Sequence, residues 1–104
     1  MAQRYVLSEE AIRDLAQLQL FLSEREGSDR ALAIIARLHR AMTSLSDYPG
    51  MGRRRKDLKG SPLVFPVQSW IIFYRANRDR TGIEIVRVID GRRDIQHLLG
   101  WRKK

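Results

Sequence analysis

Cysteine is absent from all 104 residues. That removes disulfides, thiolate zinc sites and thiol nucleophiles at once. Long apolar runs are missing too: nothing approaches the ~20 residues that a bilayer crossing requires. The opening MAQRYVLSEEAIRDL lacks a basic-then-apolar leader pattern. The expectation is a soluble, cytoplasmic protein without membrane contact. Lysine is missing from the first half: residues 1–47 hold 6 Arg and no Lys against 7 acids, a balance of −1. Residues 48–104 hold 14 Lys and Arg against 5 acids, a balance of +9. Charge serving only solubility would not be confined to one half. The second half therefore presents a positive field to nucleic acid, an anionic surface or an acidic protein. Internal repeats, metal-ligand spacings, glycine-rich phosphate loops and nucleophile triads are all lacking.

What remains is room for one domain, residues 1–104, with a basic tail from about residue 100. RYVL (4–7) reads as a short strand ending at Ser8, a helix N-cap followed by Glu9 and Glu10. Ala11, Ile12, Leu15, Leu18 and Leu22 recur at helical spacing, with Leu20 and Phe21 off that stripe. Gly27 closes this helix, and Ser28 or Asp29 caps a second one with its seam on Ala31, Ile34, Ile35, Leu38, Ala41, Met42 and Leu45. So short a link makes the pair an antiparallel hairpin, stopped at Tyr48-Pro49-Gly50.

GMGRRRKDLKGS (50–61) reads as a basic loop. LVFPV (63–67), WIIFYRA (70–76) and IEIVRVID (83–90) read as a meander of antiparallel strands. Pro66 places LVFPV at an edge or bulge. RDIQHLL reads as a short C-terminal helix. The fold class is therefore α+β: an N-terminal strand, an αα-hairpin packed on an antiparallel sheet, and a short closing helix. One sheet face is expected beneath the helices, and the other open, concave and partly basic.

The order of elements, with LSEEAIRDLAQL, YPGMGRRRKDL, FPVQSWIIFYRA and GIEIVRVIDGRRDI, resembles the ParE branch of the RelE/ParE toxin superfamily over roughly residues 5–99. The resemblance implies the toxin half of a bacterial toxin–antitoxin pair. It implies a protein that poisons DNA gyrase by binding, meets DNA through gyrase or the antitoxin, and is neutralised by a ParD-like antitoxin. The related RelE toxins are ribosome-dependent mRNA endonucleases, which makes that activity the alternative. A basic nucleic-acid-binding module is the second alternative.

The residues lean toward binding. Metal-free RNA cleavage needs a proton shuttle besides cations around the phosphorane. By the GRRDIQHLL register Arg93 matches the arginine of the RelE-type nucleases, but the position of their tyrosine falls near Leu99. His97 is the residual candidate shuttle, against a plain reading as a surface residue; His39 reads as an exposed helix position. No catalytic residue is expected unless the chain is a nuclease, and then Arg93 and His97. No cofactor or metal is expected. The antitoxin- or target-binding candidates are Arg53, Arg55, Arg75, Arg87, Arg92, Arg93, Leu20, Phe21 and Trp101. Arg75 and Arg87 lie in strands and cannot be buried unpaired. Each either closes on Glu84, Asp90 or Asp94 or holds a carboxylate of the antitoxin. Trp70 reads as core and Trp101 as exposed.

Overall fold

A computed structural model describes residues 5–77 and 81–92. The order is β1 (Tyr5–Leu7), α1 (Glu9–Glu26), α2 (Ser28–Asp47), a 3-10 turn (Pro49–Met51), β2 (Arg53–Arg54), β3 (Leu63–Val67), β4 (Trp70–Ala76) and β5 (Ile83–Asp90). The expected closing helix lies outside the described residues.

Ser8 does cap α1: its Oγ accepts from Ala11 N at 3.0 Å. Gly27 alone separates the helices, at φ 91°, where a side chain would be strained. Its N–H bonds Ser23 O and its carbonyl accepts from Ala31 N, so one residue ends one helix and begins the next. The expected caps Ser28 and Asp29 sit inside the first turn of α2 instead. Ala11, Leu15, Leu18 and Leu22 of α1 meet Ala31, Ile34, Leu38, Met42 and Leu45 of α2, and both rows close on Trp70, Ile72, Tyr74, Ile83, Ile85 and Val88 of the sheet. Ile12, expected in the stripe, is 53% exposed. His39, expected at the surface, is half-buried, and its Nδ1 meets the Tyr5 hydroxyl at 2.8 Å. A partner 34 residues away is invisible to helical periodicity.

The sheet runs β1-β5-β4-β3-β2. The meander β3–β4–β5 is antiparallel as read, and β2 adds an antiparallel edge, but β1 joins β5 in parallel. Between β1 and β5 the chain runs through two helices and three further strands, ample length for a parallel arrival. The sheet is thus mixed, not wholly antiparallel. β2 and the 3-10 turn also give structure to a segment expected to be loop. β2 covers only Leu63 and Val64 of β3, so Pro66 falls on the uncovered stretch.

Val86 is an extra residue in β5: Phe73 pairs with Arg87 and Tyr74 with Ile85. This bulge lets Ile85 and Val88 both face the helices while Val86 and Ile89 pack on the other side. That other face is not bare. Leu58, from the basic loop, is fully buried there with Val64, Phe73 and Ile89.

Candidate functional site

The sheet's two edges differ, and each carries part of the candidate set. β1 stops at Leu7, opposite Ile85, and on that side no strand among the described residues accompanies the rest of β5. Groups from the start of α1 take over. Ser8 N donates to Ile85 O at 3.0 Å and Ser8 Oγ to Val86 O at 2.8 Å. Further along, Asp14 Oδ2 accepts from Val88 N at 2.9 Å.

Asp14 also holds Arg87. Arg87 Nε donates to Oδ2 at 2.8 Å and Nη2 to Oδ1 at 3.0 Å, a bidentate fork, with Glu10 3.7 Å from Nη1. Only 19% of the Arg87 side chain and 12% of that of Asp14 remain exposed. The bond to Asp14 raises the Arg87 pKa above its already high value against the opposing effect of burial. The partner of Arg87 is thus on α1, not among Glu84, Asp90 and Asp94; nothing in helical periodicity singles out Asp14. This pair forms part of the wall of a groove of about 520 Å³ between α1 and the sheet, in which the apolar Leu18, Phe21, Trp70 and Val88 alternate with the polar Asp14, Gln17, Arg87 and Asp90. Leu20 is 64% and Phe21 50% exposed, so both stand off the core, and the Arg25 guanidinium lies 5.2 Å from the Phe21 ring centre. Trp70 is buried, as read.

The opposite edge carries the basic loop. Tyr74 is fully buried, yet its hydroxyl donates to Pro49 O at 2.6 Å and accepts from Gly52 N at 2.8 Å. The phenol thus ties the mouth of the loop to the core. Burial is the main cause that pushes the Tyr74 pKa up, opposed by the Gly52 N–H and the charge of Arg54. Within the loop Arg54 Nη1 donates to Ser61 O at 2.7 Å, and Arg55 forks onto Asp57 at 2.8 and 2.7 Å. Arg53, Lys56 and Lys59 are exposed. By alternation Arg53 and Arg75 point to the face away from the helices. There Arg75 Nε bonds Glu84 Oε1 at 2.8 Å, one of the partners expected for it. Arg92, past the end of β5, forks onto Asp90 at 3.0 and 2.7 Å.

The candidates therefore divide. Phe21 and Arg87 line the α1–β5 groove, and Arg92 is tied to Asp90 of its wall; Leu20 is exposed on α1 but is not part of that lining; Arg53 and Arg55 lie at the β2 edge, and Arg75 sits apart on the face away from the helices. Three inter-strand steps separate β5 from β2, roughly 14 Å. Arg93, His97 and Trp101 lie outside the described residues. Asp14 and Tyr74 carry no mark in the sequence, and Gly52 stands out only as part of the Pro49-x-x-Gly52-Arg53 pattern. The Y-P-G-x-G run before a basic stretch was the one available hint that backbone comes close to something there.

Tyr74 makes the first prediction. Tyr74→Phe removes both hydroxyl bonds and should cost about 1–2 kcal/mol near neutral pH. Because the folded state holds the phenol neutral above its ordinary pKa, this contribution is complete below about pH 10 and lost as pH rises further. Denaturant midpoints of the two proteins should converge on the alkaline side. A constant gap through that range would contradict the assignment.

No helix among the described residues is long and apolar enough to cross a membrane. Residues 5–95 match the family described as the ParE toxin of the type II toxin–antitoxin system parDE. Toxin ParE3 of Caulobacter vibrioides is 32% identical over 87 residues, which make up 84% of this chain and 85% of that protein. A solved structure of the chromosomal ParDE system from P. aeruginosa superposes with a TM-score of 0.71 at 14% identity, over 85% of this chain and 95% of that one. At that identity the likeness speaks for the fold alone.

Proposed function

The chain belongs to the ParE toxins of type II toxin–antitoxin systems, and from that premise we propose that it inhibits DNA gyrase by binding, without catalysis, and is neutralised by a ParD-like antitoxin. The observation that supports binding is how three of the candidate arginines are held. Arg75, Arg87 and Arg92 each close on a different carboxylate of the chain itself, Arg75 on the face away from the helices and the other two around the groove, so each guanidinium is already engaged. Stabilising a phosphorane requires cations that converge on one set of oxygens. A groove of mixed polar and apolar lining that holds a half-exposed aromatic ring is, in contrast, a surface that suits a segment folding on contact, with Phe21 as the anchor and Leu20 exposed on the same helix. The antitoxin occupies that groove in this reading.

The experiment is induced expression without antitoxin, alongside purified protein added to gyrase. Lost supercoiling or accumulated gyrase-linked breaks, with transcripts intact, is the expected result. Transcripts cut on translating ribosomes while supercoiling proceeds normally would overturn the reading in favour of a RelE-type endonuclease.

A further inference from the structure

The loop after α2 is built more firmly than a solubilising loop needs to be. Its mouth is latched by the Tyr74 hydroxyl, and its middle is pinned by Leu58, fully buried on the far side of the sheet. Between these anchors Arg55 N donates to Pro62 O at 2.8 Å, Leu58 N to Arg55 O at 3.3 Å and Ser61 N to Leu58 O at 3.0 Å.

Residues 53–59, RRRKDLK, hold five cations and one acid. Arg54 and Arg55 are engaged within the loop. Arg53, Lys56 and Lys59, at every third position, are exposed and form no ion pair among the described residues. The result is a backbone braced at both ends from which three exposed cations project, which lowers the backbone part of the ordering cost of binding.

We propose that this loop is a docking site for the sugar–phosphate backbone of nucleic acid. Charge and chemistry both favour phosphate over an acidic protein. Protein interfaces have apolar centres depleted of lysine, whereas nucleic-acid interfaces place most of their hydrogen bonds on phosphates through Lys and Arg. Here the loop's one leucine is turned inward, and the groove that holds the half-exposed Phe21 lies at the opposite edge of the sheet. At the loop's entrance Tyr48 and Met51 are 67% and 46% exposed. An exposed ring at the entrance of a basic loop is suited to stacking unpaired bases. The site requires neither gyrase nor the antitoxin.

Fluorescence anisotropy of the full chain with labelled single-stranded and duplex DNA oligomers, across a salt series, tests it. Displacing counterions with three side chains predicts a log–log slope of about −2 for single strands and about −2.7 for duplex from this loop. Arg53→Ala/Lys56→Ala/Lys59→Ala should remove that part of the slope and weaken binding at least tenfold. Each single variant should reduce the slope by roughly 0.7–0.9. Arg13→Ala/Arg37→Ala/Arg40→Ala removes the same charge from the helices and should leave most of the binding intact. Equal losses in the two triple variants would overturn the proposal, as would binding unaffected by either. So would displacement of the DNA by poly-glutamate at matched charge concentration, because the loop would then be reading acidic protein.

Discussion

Asp14→Ala should be the most damaging single substitution in the α1–β5 region. It leaves the Arg87 guanidinium enclosed without its fork and removes the acceptor for Val88 N–H in the same stroke. Breaking a fully buried pair from one side costs about 3–5 kcal/mol. The exposure remaining here and the distant carboxylate of Glu10 bring the expected loss to about 2–4 kcal/mol, or a fall in Tm of roughly 10–25 °C. Asp14→Asn retains an acceptor for the backbone and should lose less. Asp14→Ala/Arg87→Met removes both charges and should recover much of the loss, because the penalty comes from the orphaned guanidinium rather than from the missing attraction. Chemical denaturation of the four proteins measures this. An Asp14→Ala chain within 0.5 kcal/mol of the parent, the usual range for surface changes, would show the pair to be a surface ornament.

Gly52→Ala should do comparable harm at the opposite edge. Gly52 has an ordinary extended backbone, φ −77° and ψ 167°, so no left-handed conformation calls for glycine there. Space does. A Cβ at Gly52 would fall on the Tyr74 hydroxyl, with ring carbons Cε1 and Cζ only 2.7 Å away. Tyr74 is locked in the core, so the loop must move off the sheet and lose both hydroxyl bonds. Overpacking together with those losses suggests about 2–4 kcal/mol. Tyr74→Phe in the same chain relieves the hydroxyl clash but not the ring contacts, so it should recover only part of the loss. Denaturation together with oligonucleotide binding reads both consequences, since a displaced loop no longer presents its cations as one array. An alanine variant as stable as the parent would mean that the ring gives way, contrary to its burial.

These two residues also mark the limit of what the chain discloses before it is folded. The helices were legible because Leu15, Leu18, Leu22 and their counterparts on α2 repeat at 3.6-residue spacing and Ser8 is a cap by type. The meander was legible because β-branched and aromatic runs alternate with turns. The parallel arrival of β1 was not, since a strand of three residues carries no directional signal. Nor was the bulge at Val86: strict alternation through IEIVRVID puts Ile85 and Ile89 on one face, and the structure puts them on opposite faces. For the candidate site, residue type puts Arg53, Arg75, Arg87, Leu20 and Phe21 forward only as candidates, and which of them lie together is decided by the fold. Asp14 looked like any polar residue of an amphipathic helix. Its meaning comes from a strand more than 70 residues away.

The way the sheet ends on its two sides bears on how the protein behaves when crowded with copies of itself. An unpaired strand is an invitation to another chain. On β5 that invitation is withdrawn by Ser8 and Asp14, whose side chains occupy backbone groups a foreign strand would want. On the far side β2 is two residues long and both are arginine, so like would have to approach like against mutual repulsion. What is left for a foreign strand among the described residues is short: the three residues of β1 and the Phe65–Val67 end of β3, where Pro66 has no N–H to give.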